Sequence, residues 1–321
     1  MKKVLFTGNT LNDAEMSGLK NKGIEIVPAS YDLSEDQVAE LLMDCDGYIL
    51  GGDEIVTEQM LQKSGSKLKA ISFFGAGYEK YIDTNATSKR GIMVANTPGA
   101  NAHSVAEFTV ALMLAAAKQL VSNANMVKKG GWDRPRTFDL TGKTIGIIGM
   151  GNIGSIVAKI LYHGFGAKII YTSRRSKLSV EDTCNAKKVS LEELLAQSDI
   201  ISIHASLNDE TRGMIGTKEM ELMKDGVIIV NSARVEIIDE DALVAALNSG
   251  KVARCAFDGF YKEPIEQSVV DSHELLTMPD EKIIVTPHMA YYTFDAIKNM
   301  QNMAIDNIFE MLFSGTCKNI V

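Results

Sequence analysis

A chain of 321 residues exceeds the roughly 100 to 200 of one domain, so length alone favours two packed units. With 45% hydrophobic and 23% charged residues, only six prolines and 26 glycines, the composition excludes a disordered, fibrous or low-complexity protein. Thirty-three basic against 41 acidic side chains give −8 at pH 7, so no bulk field attracts nucleic acid or an anionic membrane, and any anionic ligand must be held by a local cluster.

The first hundred residues alternate short β-branched runs with amphipathic segments, the pattern of a parallel sheet with helical crossovers. Strands are predicted at 3–6, 24–27, 47–50, 69–73 and 92–95. The segment 34–43 reads as a helix opened by a Ser34 cap, with Glu35 in its first turn and Val38, Leu41 and Leu42 at helical spacing. Pro98-Gly99 marks a turn, and the Ala- and Leu-rich run behind it predicts one connecting helix of about twenty residues. Its strongly apolar part, 110–117, falls short of the roughly 18 residues that span a bilayer, and the N-terminal apolar run is too short for a signal peptide. Cys45, Cys184, Cys255 and Cys317 are scattered, with no C-x-x-C pair, as expected of reduced thiols. A soluble cytoplasmic protein is expected.

Beyond a polar stretch at 128–143, a second series of strands is predicted at 144–148, 168–172, 187–189, 200–203, 227–230, 252–257 and 283–286. SLEELLAQSD and DEDALVAALNSG, between them, carry acidic first turns, and the second ends in a helix-stopping glycine. A long amphipathic helix closes the chain over 294–313.

The strand at 144–148 runs directly into Gly149-Met150-Gly151-Asn152-Ile153-Gly154 and then into a helical segment. A glycine-rich turn between strand and helix lets a pyrophosphate approach free backbone N–H groups and the positive end of the helix dipole, so dinucleotide binding is expected. The next strand ends in Ser173-Arg174-Arg175, where an NAD binder would carry Asp or Glu for the ribose hydroxyls. Serine can donate to a 2′-phosphate and the guanidiniums can pair with it, which points to NADP(H) with NAD(H) as the alternative. Otherwise the two arginines are solvated loop charges.

Ligands of open α/β sheets bind beyond the carboxyl ends of the strands. Three polar residues stand there: Arg234 after the strand at 227–230, Glu263 after 252–257 and His288 after 283–286. An arginine can pair bidentately with a carboxylate, and a histidine beside a carboxylate can act as general acid for a carbonyl. Taken singly, each has a structural alternative. His103, His163 and His273 read as structural or solvated, and no cluster has metal-ligand spacing, so no metal is expected.

Together LTGKTIGIIGMGNIGSIVA, SDIISIHASLNDETRGMI, MKDGVIIVNSAR, the run ending in FDGFYKEP, and VTPHMA, with FFGAGYEKYID and NTPGANAHSVAE upstream, closely resemble the D-isomer-specific 2-hydroxyacid dehydrogenases over nearly the whole chain. The resemblance implies two Rossmann-like or flavodoxin-like α/β domains with parallel sheets. A cofactor domain, 99–290, would be inserted into a discontinuous substrate domain, 1–98 and 291–321, with hinges near 97–101 and 288–294. It implies that Arg234 binds the substrate carboxylate, His288 exchanges a proton with the substrate oxygen, Glu263 holds His288, and N–H groups around Gly75, Ala76 and Gly77 contact the carboxylate from the other domain. Asn152, Ile153, Thr211 and Ala233 would line the cofactor, Asp258 would face the nicotinamide carboxamide, and His204 would border the dinucleotide. The implied substrates are small 2-oxo or D-2-hydroxy acids such as glyoxylate or hydroxypyruvate, and the implied assembly is a homodimer.

Three departures from the family pattern stand out: Val235 in place of a usual glycine, Tyr291-Tyr292 where small residues are common, and Phe73 where relatives acting on phosphoglycerate often carry arginine. The tyrosines are expected to cap the pocket or to pack on interdomain helices. Phe73 is expected to offer aromatic surface, which weighs against phosphoglycerate unless Lys80 reaches in. D-3-phosphoglycerate dehydrogenase and, in another class, a cofactor-sensing binding protein resembling corepressors are the alternatives.

Overall fold

The computed structural model describes residues 1–31 and 33–321. The chain forms two compact units, one of Met1–Asn101 with Phe294–Val321 and one of Ala102–Thr293.

The first unit holds a five-stranded sheet of β1 (Lys2–Thr7), β2 (Ile24–Ala29), β3 (Gly47–Leu50), β4 (Ala70–Phe73) and β5 (Met93–Ala95). The strands are all parallel, in the order β2-β1-β3-β4-β5. β3 and β4 are buried along their whole length, as strands covered on both faces must be, which is why their sequences read as mostly apolar runs, with Ser72 the one polar side chain of β4. Helix Glu35–Leu42 is capped by Ser34, whose side chain accepts from the Gln37 N–H. It buries Val38, Ala39 and Leu42 and leaves Leu41 outside. The C-terminal helix Phe294–Ser314 returns to this unit and lays Ala296, Met300, Ala304, Ile308 and Met311 along one buried face.

The second unit holds a seven-stranded parallel sheet of β6 (Thr144–Ile148), β7 (Lys168–Thr172), β8 (Lys187–Lys188), β9 (Ile200–Ile203), β10 (Val227–Asn231), β11 (Val252–Asp258) and β12 (Ile283–Thr286). Their order is β12-β11-β10-β9-β6-β7-β8. The chain leaves β6 towards β7 on one side and reaches β9 on the other, so the strand order reverses at β6/β9, the place where such sheets bind dinucleotides.

The expected twenty-residue connector is two helices. Ala102–Lys118 buries nine residues, Gln119 takes a left-handed φ of 50°, and Leu120–Lys128, which buries none, departs at 61°. The break has a tertiary cause. The Phe138 N–H returns to the Ala117 carbonyl at 3.1 Å, and Arg254 lies over the Phe138 ring at 5.4 Å, so the helix end finds a partner from a distant segment. No single helix among the described residues is long and apolar enough to cross a membrane.

Candidate active site

The glycine loop is built for close approach. Gly149 has φ 96°, and a Cβ there would lie 2.6 Å from the His204 carbonyl carbon and from the Ala205 nitrogen. At Gly154 a Cβ would lie 2.3 Å from the Gly149 oxygen, so helix and loop could not pack. Gly151 differs. It caps helix Asn152–Phe165 with no side-chain bond, and nothing stands within 4 Å of where its Cβ would be. The first-turn N–H groups are therefore free and approachable, with Asn152 and Ile153 in that turn, an arrangement that fits a pyrophosphate.

Across the switch point the His204 N–H donates to the Ile148 carbonyl at 2.7 Å, and its Nε2 bonds the Ser202 hydroxyl at 2.8 Å. Burial pushes the imidazole down to about 3, so His204 borders the glycine loop as a neutral ring and cannot serve as an acid near neutrality. Its Nδ1 is buried without a partner among the described residues. Thr211 is committed to its own loop, donating to the Ser206 carbonyl at 2.7 Å and accepting from the Asn208 N–H at 2.9 Å. At the end of β7 the Ser173 hydroxyl donates to the Arg175 carbonyl at 2.6 Å and shapes the turn. Arg174 and Arg175 are exposed, and among the described residues neither has a carboxylate partner.

Arg234, Glu263 and His288 lie far apart in the chain, yet follow three neighbouring strands, β10, β11 and β12. Asn231 ends β10 fully buried; its oxygen accepts from the Ala233 N–H at 2.9 Å and its amide donates to the Arg234 carbonyl at 3.0 Å. The Ser232 hydroxyl is tied to Thr109 at 2.6 Å. This clamped loop sets Arg234 Nη1 3.4 Å from His288 Nε2. On the other side of the ring, His288 Nδ1 lies 3.0 Å from Glu263 Oε2, while Glu263 Oε1 accepts from the Phe260 N–H at 2.8 Å. Burial alone would raise the Glu263 carboxyl. The hydrogen bond and charge of His288, the Phe260 N–H and the Arg234 charge outweigh it and hold the group below the ordinary carboxylate value. An ionised carboxylate, an imidazole and a guanidinium thus form one line, able to fix an anion and exchange a proton with the group beside it.

His288 itself has φ 51°, a left-handed conformation that costs an L side chain about 1–2 kcal/mol. Asp258 sustains it. This carboxylate is 2% exposed; Oδ1 accepts from the Thr286 hydroxyl at 2.6 Å and the Met289 N–H at 2.9 Å, and Oδ2 from the Ala290 N–H at 2.8 Å. Both oxygens serve the loop that carries the histidine. Tyr291 stands edge-on to the His288 ring at 6.1 Å and to the Tyr292 ring at 5.9 Å, and Tyr292 is 62% exposed. The roles of Asn231, Thr109 and the Asp258 loop bonds escaped sequence reading. An asparagine closing an apolar strand just before a loop was the one local signal.

In the first unit, Gly75, Ala76 and Gly77 follow β4. The Gly75 carbonyl accepts from the Thr97 N–H and hydroxyl at 2.9 and 3.1 Å, and the Ala76 carbonyl from the Asn96 amide at 2.8 Å. Among the described residues the N–H groups of the three have no acceptor, as an anion-binding loop requires. Phe73 corrects an expectation. It is 8% exposed and stacks on Tyr81 at 5.1 Å, and a Cβ on Gly75 would lie 2.7 Å from its ring, so it supports the loop from within and offers no aromatic surface.

Residues 110–290 match the model of the D-isomer specific 2-hydroxyacid dehydrogenase NAD binding domain. The chain is 40% identical over 283 residues to a glyoxylate reductase from Aeropyrum pernix, covering 85% of this chain and 82% of that one. It is 35% identical over 297 residues to glyoxylate/hydroxypyruvate reductase B from Yersinia enterocolitica, covering 90% and 88%. The crystal structure of a glyoxylate reductase from Paecilomyes thermophila superposes with a TM-score of 0.86 at 31% identity, covering 100% of this chain and 98% of that one. Sequence likeness of this extent, over a sheet whose strand ends gather a dinucleotide cradle and an Arg–His–Glu line, makes the chain a member of the D-isomer-specific 2-hydroxyacid dehydrogenase family, a nicotinamide-dependent oxidoreductase.

Proposed function

We propose that the protein interconverts a small 2-oxo acid, such as glyoxylate or hydroxypyruvate, with its D-2-hydroxy acid, using NADP(H) in preference to NAD(H). The observation that carries this reading is the line Arg234 Nη1, His288 Nε2, His288 Nδ1, Glu263 Oε2, with 3.4 and 3.0 Å at its two contacts. The bound nicotinamide supplies or accepts the hydride. Arg234 pairs with the substrate carboxylate, and His288 passes a proton from Nε2 to the carbonyl oxygen during reduction and takes it back during oxidation. Glu263 keeps the imidazole oriented. The free N–H groups of Gly75, Ala76 and Gly77 are assigned to anion binding in the first unit and Asn152, Ile153 and Ala233 to the cofactor, while Thr211 and Asp258 hold the loops in which they sit.

The NADP(H) preference rests on the end of β7, which carries Ser173 in place of a carboxylate and the exposed Arg174 and Arg175, neither with a carboxylate partner among the described residues. The substrate class agrees with the relatives from Aeropyrum pernix and Yersinia enterocolitica, a glyoxylate reductase and a glyoxylate/hydroxypyruvate reductase. A homodimer is supported by helix Leu120–Lys128, none of whose residues is buried, and by Trp132, 74% exposed just beyond it.

The test is a panel of glyoxylate, hydroxypyruvate, pyruvate, bulkier 2-oxo acids and 3-phosphoglycerate with NADPH and NADH. The highest kcat/KM is expected for the two smallest hydroxylated or aldehyde acids with NADPH. Arg234→Ala should raise KM for the 2-oxo acid by about ten- to a hundredfold, the worth of one charge-assisted hydrogen bond. His288→Ala should lower kcat by about 10²- to 10⁴-fold. Near-normal kinetics in both variants would sink the assignment, and a tenfold preference for NADH would sink its cofactor half.

A further inference from the structure

The loop that carries Glu263 is joined to the segment that carries Arg234 at two points away from the reacting groups. Beyond Arg234 the chain makes a 3-10 turn, Val235–Ile237, passes Ile238 and enters helix Glu240–Ser249. The Tyr261 hydroxyl donates to the Ile238 carbonyl at 3.1 Å. His273 Nε2 lies 2.8 Å from Glu240 Oε1, and the His273 ring packs edge-on against Phe260 with centroids 4.7 Å apart. Phe260, 4% exposed, is the residue whose N–H grips Glu263.

These braces sit where the backbone most needs them. Gly259 precedes Phe260 with φ 115°, and a Cβ there would lie 2.5 Å from Glu263 Oε1, so only glycine lets the carboxylate fold over the strand end. Glycine also leaves the loop free to open. The Phe260 N–H holds Glu263 from a residue whose ring is buried in the core of the second unit, and His273, fixed to Glu240 on the helix that follows Arg234, packs edge-on against that ring. Misplacing a reacting group by about 1 Å costs on the order of a hundredfold in rate.

We infer that His273, paired with Glu240 and packed on Phe260, is a positioning residue that works with Tyr261 to hold the Glu263–His288 pair in register with Arg234. It rests on the functional reading above. His273→Leu should lower kcat/KM by about tenfold or more with little change in the dissociation constant for NADPH, and His273→Gln, which can still donate to Glu240, should recover most of the loss. Tyr261→Phe removes one hydroxyl from a packed ring and provides a second variant that preserves the core.

The deciding measurement is the 13C NMR titration of the Glu263 carboxyl in the ligand-free protein. Weakening the Phe260 N–H contact should move that titration to higher pH in His273→Leu and in Tyr261→Phe, and the acid limb of kcat/KM should follow. Identical Glu263 titrations in wild type and both variants would overturn the inference. A shifted titration in a protein that reduces none of the 2-oxo acids would uphold it and count against the functional reading.

Discussion

His288 occupies a backbone conformation that few L residues adopt, and three hydrogen bonds to Asp258 hold the turn in which it sits. Strain of this kind persists where the surroundings over-determine it, and here it aims the imidazole at Arg234 and Glu263 together. A second carboxyl is held the opposite way. Glu54, 8% exposed in the first unit, accepts from the Thr7 hydroxyl at 3.3 Å beside the buried Tyr48. Burial raises its pKa, with the Asp53 charge adding to the effect and hydrogen bonds from Thr7 and the local backbone opposing it. A carboxyl raised in the folded state holds its proton more tightly there than in the unfolded chain. Its penalty is absent below the ordinary carboxylate pKa and grows as pH rises through the raised value. Glu54→Gln should therefore raise Tm by about 2–4 °C at pH 8 and change it little at pH 4. A gain of equal size at both pH values would refute the argument.

At the scale of elements, the parallel strands were the easiest features to read. Strands such as Ile200–Ile203 and Val227–Asn231 are buried throughout, so their mostly apolar runs are a local signature; the first has the expected ends and the second runs one residue further. The connector broke at Gln119 because a carbonyl near its end is claimed by Phe138, a contact no local pattern announces. The loop after β10 makes the same point for function. Asn231 supplies both an acceptor to Ala233 and a donor to Arg234, so it fixes the direction in which the guanidinium leaves the sheet. Asn231→Ala should raise KM for the 2-oxo acid by about tenfold while leaving the dissociation constant for NADPH within about twofold. Steady-state kinetics with fluorescence titration separates the two quantities, and equal losses in both would assign Asn231 to general stability.

For the whole molecule, the net charge of −8 coexists with a dinucleotide cradle that has exposed arginines at one strand end, so attraction for an anion is local. Ligand that binds only the folded state stabilises it by about 2.7 kcal/mol at a hundred times its dissociation constant. NADPH should accordingly raise Tm more than NADH at matched concentration. Equal shifts from both would remove the Arg174–Arg175 argument, and no shift from either would remove the cradle.

What the sequence determined by itself is what depends on neighbours along the chain: the strand runs, the Ser34 cap, and the glycine turn between β6 and its helix, where steric room and free N–H groups arise within six residues. Tertiary structure alone decided the rest. Arg234 and His288, 54 positions apart, meet because β10, β11 and β12 are neighbours in the sheet. Phe73 turned inward because Tyr81 and Gly75 enclose it, and Asp258 was drawn to the backbone of the His288 turn by its register opposite Thr286. His273 gained a position beside Glu240 and Phe260 in the same way. Burial and pairing across a sheet are set by which segments meet, and one-dimensional spacing carries no record of that choice.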